Sequence, residues 1–362
     1  LTQDDFEPGA KRKEAGCSPD TWDSWSALAQ KVAFLERPQS FAEPTTGVEA
    51  VETHMSWVFL TDDCAYKLKK PVRFKLMNLV NLEDRRRNCE AEVLWNRRLA
   101  PDVYLGVVPL GLDEKGGLVL GSGVRVVDWL VKMRRLPAHR MLDHLITRGE
   151  VAPADVRRVA ETLAAFYQRA PRADIGEKKY RGRFADEVGE IARELGELSP
   201  ISTSRIDAVS AELIAFIEMR ADLLDARVRE GRVVEAHGDL RPEHVCLLPQ
   251  PVVIDCLEFV PELRLLDPAD ELSFLSVECE LAGGPPFIEQ VLFGTYSELT
   301  LDRPPRPLVR FYKTFRAFLR AKITIWHLKD REVKNSEKWV SKTGRYLQAA
   351  ERLVRESSEL SS

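Results

Sequence analysis

The stretch that decides the fold is His237-Gly238-Asp239-Leu240-Arg241-Pro242-Glu243-His244-Val245, followed shortly by Ile254-Asp255-Cys256-Leu257. Apolar Val233-Val234-Glu235-Ala236 leads in and Pro251-Val252-Val253 leads out, so two short strands flank a polar loop. One carboxylate, Asp239, then sits on a loop at a strand end, and a second, Asp255, at the end of the next strand. Transfer of a γ-phosphoryl group needs chiefly positioning and charge neutralisation. Asp239 suits the orienting and deprotonation of an acceptor hydroxyl, and Asp255 suits the holding of a metal on nucleotide phosphates.

Upstream, the pattern is that of strands. Val48 to Thr53 alternates, His54-Met55-Ser56 interrupts, Trp57 to Leu60 resumes, Thr61-Asp62-Asp63 turns, and Cys64 to Lys69 alternates again. This predicts a three-stranded antiparallel meander. Leu82 to Ala100 reads as a charged helix ended by Pro101, and Val103 to Leu112 with Leu118 to Met133 supply two or three more strands. Trp22 to Leu35 reads as a short amphipathic helix with Trp25, Leu28, Val32 and Leu35 on one side, behind a loose leader.

Downstream of Pro137 the chain reads as mainly helical. Val156, Val159, Leu163 and Phe166 mark one helix, Ile206 to Glu230 another that Gly231 stops, and Leu308 to Leu328 a third with a buried aromatic stripe. The tail Ser357 to Ser362 reads as disordered. The expected fold class is α+β and bilobal, with a cleft between the lobes. Residues 1–44 form a leader with a short helix, 45–136 an N-lobe of antiparallel sheet plus one helix, 137–350 a larger, mainly helical C-lobe, and 351–362 the tail.

Composition bounds the rest. The chain has 362 residues, 44% hydrophobic and 30% charged, enough for a sizeable core and against wholesale disorder. A net charge of -4 argues against nucleic acid or an anionic membrane as partner. Six cysteines without a C-x-x-C pair point to a reduced, cytoplasmic setting. No apolar run is long enough to span a bilayer, and the acidic start, without an initiator Met, has no apolar signal-peptide core. G-x-x-x-x-G-K-[ST], G-x-S-x-G and H-E-x-x-H are all missing.

The decisive segment resembles the catalytic loop of protein kinases, H-R-D-L-K-P-E-N, and the shorter H-G-D form of aminoglycoside phosphotransferases. Ile254-Asp255-Cys256-Leu257 resembles the metal-binding segment of the phosphotransferase branch, and so does the later Asp267-Pro268-Ala269-Asp270-Glu271-Leu272. Cys64-Ala65-Tyr66-Lys67 falls where kinases have V-A-I-K, with Ala65 and Lys67 on one face. Met133-Arg134-Arg135-Leu136-Pro137 resembles the hinge whose backbone binds adenine. The likeness, to the aminoglycoside-phosphotransferase-like kinase family and its branch of uncharacterised bacterial enzymes, covers roughly residues 45–330.

The resemblance implies an ATP-dependent kinase of a small-molecule hydroxyl, using Mg²⁺ or Mn²⁺. It implies Asp239 as base, Arg241 at the γ-phosphate, and Lys67 gripping the nucleotide and fixed by Glu92. Ser56, Arg135 and Leu136 fall on the nucleotide side, and Asp255 with His244 on the metal. Lys69 competes with Lys67, and Glu90 with Glu92. Arg241 has a plainer reading as a salt bridge to Glu243 or Glu262. No G-x-G-x-x-G precedes the second strand, so Thr53-His54-Met55-Ser56 would cover the phosphates. His244 stands where the family has Asn, and imidazole suits Mn²⁺ or Zn²⁺ better than Mg²⁺. A catalytically silent nucleotide-binding scaffold and an AMP-transferring enzyme are the alternatives. A zinc site of His237, His244, Cys246 and Cys256 is disfavoured by irregular spacing. Lys313, Arg316, Arg320 and Lys322 read first as a solvated helix face and second as a basic wall around the acceptor, which would count against an aminoglycoside.

Overall fold

The computed structural model describes residues 22, 25–74, 77–121, 123–198, 200–329 and 336–359. Two compact units divide the chain: Leu1–Pro137 with Val253–Pro261, and Ala138–Val252 with Glu262–Ser362. The segment 253–261, expected within the C-lobe, thus belongs to the first unit. Most of the expected loose leader lies outside the described residues.

In the first unit the strands are β1 (Glu49–Glu52), β2 (Ser56–Leu60), β3 (Cys64–Lys69), β4 (Arg73–Phe74), β5 (Met77–Asn78), β6 (Tyr104–Leu112), β7 (Leu118–Leu120) and β8 (Arg125–Arg134). Six of them form one antiparallel sheet in the order β1-β2-β3-β8-β6-β7. Lys67 lies opposite Val58 on one side and Val131 on the other, so β3 is central. Strand alternation then decides which way each side chain points. Tyr66 and Leu68 pack with Phe59, Leu130 and the apolar side of helix α1 (Trp25–Leu35), namely Leu28, Val32 and Leu35. Lys67 and Lys69 point the other way, to helix α2 (Leu82–Asn96).

A buried ion cluster ties α1 to the sheet. Lys31 Nζ donates to Asp128 Oδ2 (2.6 Å) and to the Val127 carbonyl (3.0 Å), and Arg85 Nε donates to the other Asp128 oxygen (2.8 Å). The helix assigned to a separate leader is therefore part of the first unit's core. Its apolar stripe is buried against the sheet residues, and one deeply buried lysine fixes its register.

The second unit begins with helices α3 (Leu142–Thr147), α4 (Pro153–Arg169), α5 (Glu177–Leu198), α6 (Thr203–Met219) and α7 (Ala221–Arg229). Short strands follow: β9 (Val234–Glu235), β10 (Val245–Cys246), β11 (Val252–Val253, whose second residue begins the segment of the first unit) and β12 (Leu265–Leu266). Helices α8 (Pro268–Leu281), α9 (Phe287–Thr300), α10 (Arg306–Ile325) and α11 (Ser336–Glu359) complete it. Its core joins Phe184 and Ile191 of α5, Val209 and Leu213 of α6, Phe311, Phe315 and Phe318 of α10, and Leu347 of α11.

Three expectations are corrected here. The single helix from Ile206 to Glu230 is two, because Arg220 leaves the helical region (φ -119, ψ 33) after its N–H closes α6 on the Phe216 carbonyl. Gly231 does end the second, at φ 63, where a residue without Cβ is favoured. The tail expected from residue 351 is helical to Glu359, because Ala350 and Leu353 are buried and hold the last turns of α11. The basic residues of α10 form no solvated face. Lys313, Arg316, Arg320 and Lys322 are all buried, and they pair with Glu289, Asp270, Glu278 and Glu187 in turn. Each charge is matched by an acid, so the argument from them against a polycationic acceptor loses its basis.

Candidate active site

In the first unit, five charged side chains form a chain of alternating sign. Lys67 Nζ lies 2.7 Å from Asp255 Oδ1 and 2.9 Å from Glu92 Oε1. Glu92 Oε2 contacts Lys69, whose Nζ lies 2.8 Å from Glu258 Oε1. Both lysines come from β3 at a two-residue spacing, so the pleat puts them on one face, and Glu92 projects from α2 toward that face. Burial alone would lower both ammonium groups, but the acids outweigh it: Lys67 is held well above its usual value and Lys69 is raised. Burial would likewise raise Glu92, and the two lysines hold it below the usual carboxylate range. Glu90, the competing helix acid, is exposed and pairs with Arg86 on the same helix (2.8 Å).

The segment carrying Asp255 is fastened residue by residue. The Asp255 amide donates to the Tyr104 hydroxyl (3.1 Å), and the Cys256 amide to Asn96 Oδ1 (2.8 Å). Asn96 in turn donates to the Glu92 carbonyl (2.9 Å). Asp255 itself has φ 62, the left-handed region that a short polar side chain tolerates better than most. Such a backbone costs on the order of 1–3 kcal/mol and persists where neighbours over-determine it. Its side chain is 44% exposed, the most open of the five.

In the second unit, the loop after β9 is built on a buried carboxylate. Glu271 of α8 accepts from the His237 amide (3.0 Å), the Gly238 amide and the Tyr167 hydroxyl (2.9 Å). Burial pushes the Glu271 carboxyl up, and the two amides and the hydroxyl offset this only in part. Gly238 has φ 95, a conformation suited to glycine, and the Asp239 amide closes on His237 Nδ1 (3.3 Å). Asp239 Oδ2 lies 3.0 Å from Arg241 Nη2, and Arg241 also pairs with Glu243. Burial works against the Arg241 charge, and Asp239 and Glu243 outweigh it, so its affinity for the proton is raised. Arg241 Nε is buried without a hydrogen-bond partner among the described residues.

His244 is engaged at both ring nitrogens. Nδ1 lies 2.8 Å from the Asp239 carbonyl, and Nε2 lies 3.2 Å from Arg241 Nη2. A guanidinium only donates, so Nε2 is the acceptor and Nδ1 carries the proton, a tautomer inferred from these partners. In this arrangement both ring nitrogens are occupied, and the expected ligand role of His244 would require Nε2 to exchange Arg241 for the ion.

The remaining nucleotide-side residues are placed as follows. Ser56 opens β2, and its amide and carbonyl are tied to Thr53 (3.0 Å and 2.8 Å), so its N–H is not open to a phosphate. The Ser56 hydroxyl is buried without a partner among the described residues. The Arg135 amide donates to the Asp63 carbonyl and its guanidinium to the Thr61 carbonyl (2.8 Å and 2.7 Å). Both groups thereby tie Arg135 to the turn between β2 and β3. Leu136 is half-buried beside Pro137.

Sequence reasoning passed over Glu258, Asn96 and Tyr104, and read Lys69 only as a rival to Lys67. It noted the segment around Glu271 without a role for that residue. The one signal for Glu258 is its place three residues after Asp255. A helical turn's worth of chain separates them, but nothing in the local sequence says that Lys69 lies opposite.

No protein-family model matches the chain. It is 33% identical over 295 residues to the uncharacterised protein Rv2004c of Mycobacterium tuberculosis (strain ATCC 25618 / H37Rv), with 78% of this chain and 56% of that protein covered. The same figures hold for the uncharacterised protein Mb2027c of Mycobacterium bovis. The chain spans about half the length of these curated relatives. Among solved structures it is similar to a mutant of aminoglycoside 2'-phosphotransferase-IIIa in its GDP complex, at a TM-score of 0.51 and 14% identity over 90% of this chain and 97% of that one. Choline kinase LicA from Streptococcus pneumoniae matches with a TM-score of 0.51 and 16% identity over 89% of this chain and 99% of that one. The fold of the chain is the protein-kinase-like, α+β fold of these small-molecule phosphotransferases.

Proposed function

We propose that the chain is a phosphotransferase that moves the γ-phosphoryl group of a nucleoside triphosphate, ATP in the first instance, to a hydroxyl of a small molecule. The observation that carries this reading is the position of Lys67 Nζ between Glu92 (2.9 Å) and Asp255 (2.7 Å) on a kinase-like fold. An ammonium buried at one end and shared with a half-open carboxylate at the other is suited to grip phosphate oxygens beside a metal ion. Asp239 orients the acceptor hydroxyl and takes its proton, and Arg241 balances charge on the transferring group. His244 acts as a brace between Asp239 and Arg241. Arg135 and Leu136, in the segment after β8, serve the nucleotide, whereas the bonded amide and buried hydroxyl of Ser56 leave it a structural part.

The donor set fits Mg²⁺ at one carboxylate. Asp255 offers hard oxygen on an exposed side chain, and Mg²⁺ takes one or two carboxylates together with phosphates and water. When bound, the ion neutralises charge on the β- and γ-phosphates. The engaged nitrogens of His244 favour a second reading, a nucleotide-binding module with little turnover.

A phosphorylation screen over hydroxylated metabolites, run with ATP and with GTP, tests both. The enzyme reading expects divalent-dependent transfer that Asp239→Ala lowers by roughly 10²–10⁴-fold, the usual weight of a positioned base, while nucleotide still shifts the melting temperature. Full turnover in Asp239→Ala would overturn the assignment. Nucleotide binding with no transfer to any acceptor would favour the module.

A further inference from the structure

Lys69 is almost fully buried, at 2% exposure, and so faces no ligand. Its ammonium nevertheless joins two acids that come from different parts of the first unit. Glu92, on α2, is the partner of Lys67. Glu258 belongs to the returning segment 253–261 and stands three residues after Asp255. A carboxylate with one cationic partner can turn about its last bond. Glu92 has a lysine at each oxygen, which leaves it one orientation, and that orientation aims Lys67. Glu258 is 6% exposed, so its own position is set by Lys69 rather than by water.

We propose that Lys69 is a positioning residue, which aims Lys67 through Glu92 and anchors the Asp255 segment through Glu258. This rests on the phosphotransferase reading above. One buried ammonium thereby sets the separation between the phosphate-gripping amine and the metal-holding carboxylate. The alternating order Asp255–Lys67–Glu92–Lys69–Glu258 also has an energetic consequence. Without Lys69, the two buried acids Glu92 and Glu258 lose a shared counter-charge, and Lys67 has to serve Glu92 as well as Asp255. Its ammonium is then drawn toward Glu92, and the 253–261 segment loses the buried ion pair at Glu258.

The test compares wild type, Lys69→Met, Lys69→Arg and Glu258→Gln. Two readouts are taken: hydrogen exchange of 253–261 without nucleotide, and affinity for ATP with Mg²⁺ by calorimetry. Lys69→Met is expected to speed exchange in 253–261 by tenfold or more, with the α1 segment unchanged, and to weaken ATP binding by tenfold or more. Lys69→Arg should restore affinity to within about threefold, because it keeps two directed donors. Should Lys69→Met fail to fold, Glu258→Gln carries the test, with faster exchange confined to 253–261 and weaker ATP binding. Wild-type exchange in 253–261, or wild-type ATP affinity in a folded variant, would overturn the proposal. If wild type binds neither ATP nor GTP, the phosphotransferase reading falls, and the nucleotide-free exchange still decides whether Lys69 anchors the segment.

Discussion

Asp239 follows two consecutive amides, those of His237 and Gly238, that both donate to Glu271. The carboxylate is fully buried, and its third partner is the Tyr167 hydroxyl. Truncating it to Ala leaves buried donors unmet, at roughly 1–3 kcal/mol each. Glu271→Ala is therefore expected to lose about 3–9 kcal/mol in urea unfolding if all three donors go unmet, and Glu271→Gln less, since one acceptor oxygen remains. The sign with pH also follows. A carboxyl raised above its unfolded value contributes stability at low pH that is lost as pH rises through the folded value. Glu271→Gln removes that contribution, so its deficit against wild type should be largest in acid and shrink toward neutrality. A deficit constant with pH would show that Glu271 keeps its ordinary value. Little of this was legible beforehand. The residues of the loop can be read from their order, because a strand, a glycine and an acid make a local pattern. The brace comes from 34 positions away along the chain.

Helix α10 shows the same limit one level up. Its aromatic stripe was readable, because Phe311, Phe315 and Phe318 recur at helical spacing and pack as expected in the core. Its charges were misread as solvated, because a helical wheel shows the cations and not the acids that meet them. Those acids lie on α5, α8 and α9. By contrast, Lys67 and Glu92 were readable as a pair, since strand alternation and a helix face fix two directions that converge. Arg316 is the sharpest case on α10: it is bidentate to Asp270 (2.6 and 2.7 Å) and lies over the Phe274 ring at 5.1 Å. Breaking a buried pair from one side typically costs about 3–5 kcal/mol, whereas replacing both partners by apolar groups is often close to neutral. Arg316→Met alone should thus lower the unfolding free energy by several kcal/mol, and Arg316→Met with Asp270→Leu should recover most of it. If the double variant were as unstable as the sum of the singles, the pair would matter for packing rather than for charge.

At the scale of the molecule, ion pairs in both units, buried at Glu92 and Asp302 and half-buried at Glu289, set a common response to acid and base. Glu92 in the first unit, and Glu289 and Asp302 in the second, are each penalised by burial and held below their ordinary values by lysine or arginine partners. An acid whose folded value is lowered contributes stability above its unfolded value, from 4.5 for the Glu pair and 3.8 for Asp302, and loses it as pH falls through the folded value. Lys67 and Lys69 work in mirror image: their contribution is complete below 10.5 and is lost as pH rises through their raised values. The urea midpoint should therefore be nearly level over about pH 6–8, fall on the acid side from about pH 4.5 downward, and fall on the alkaline side from about pH 9, where the Cys89 and Cys246 thiols, pushed up by burial from 9.0 to about 12 and about 11, lose their contribution before the lysines do. Glu271 opposes the acid fall without cancelling it, being one group against three. Salt separates this from surface pairing. Exposed pairs such as Arg86 with Glu83 are screened at 1 M salt, where the Debye length is about 3 Å, and buried pairs much less so. The acid flank should accordingly survive in 1 M NaCl with most of its depth. Its disappearance there would transfer the acid response to the surface and leave the buried pairs without the weight assigned to them.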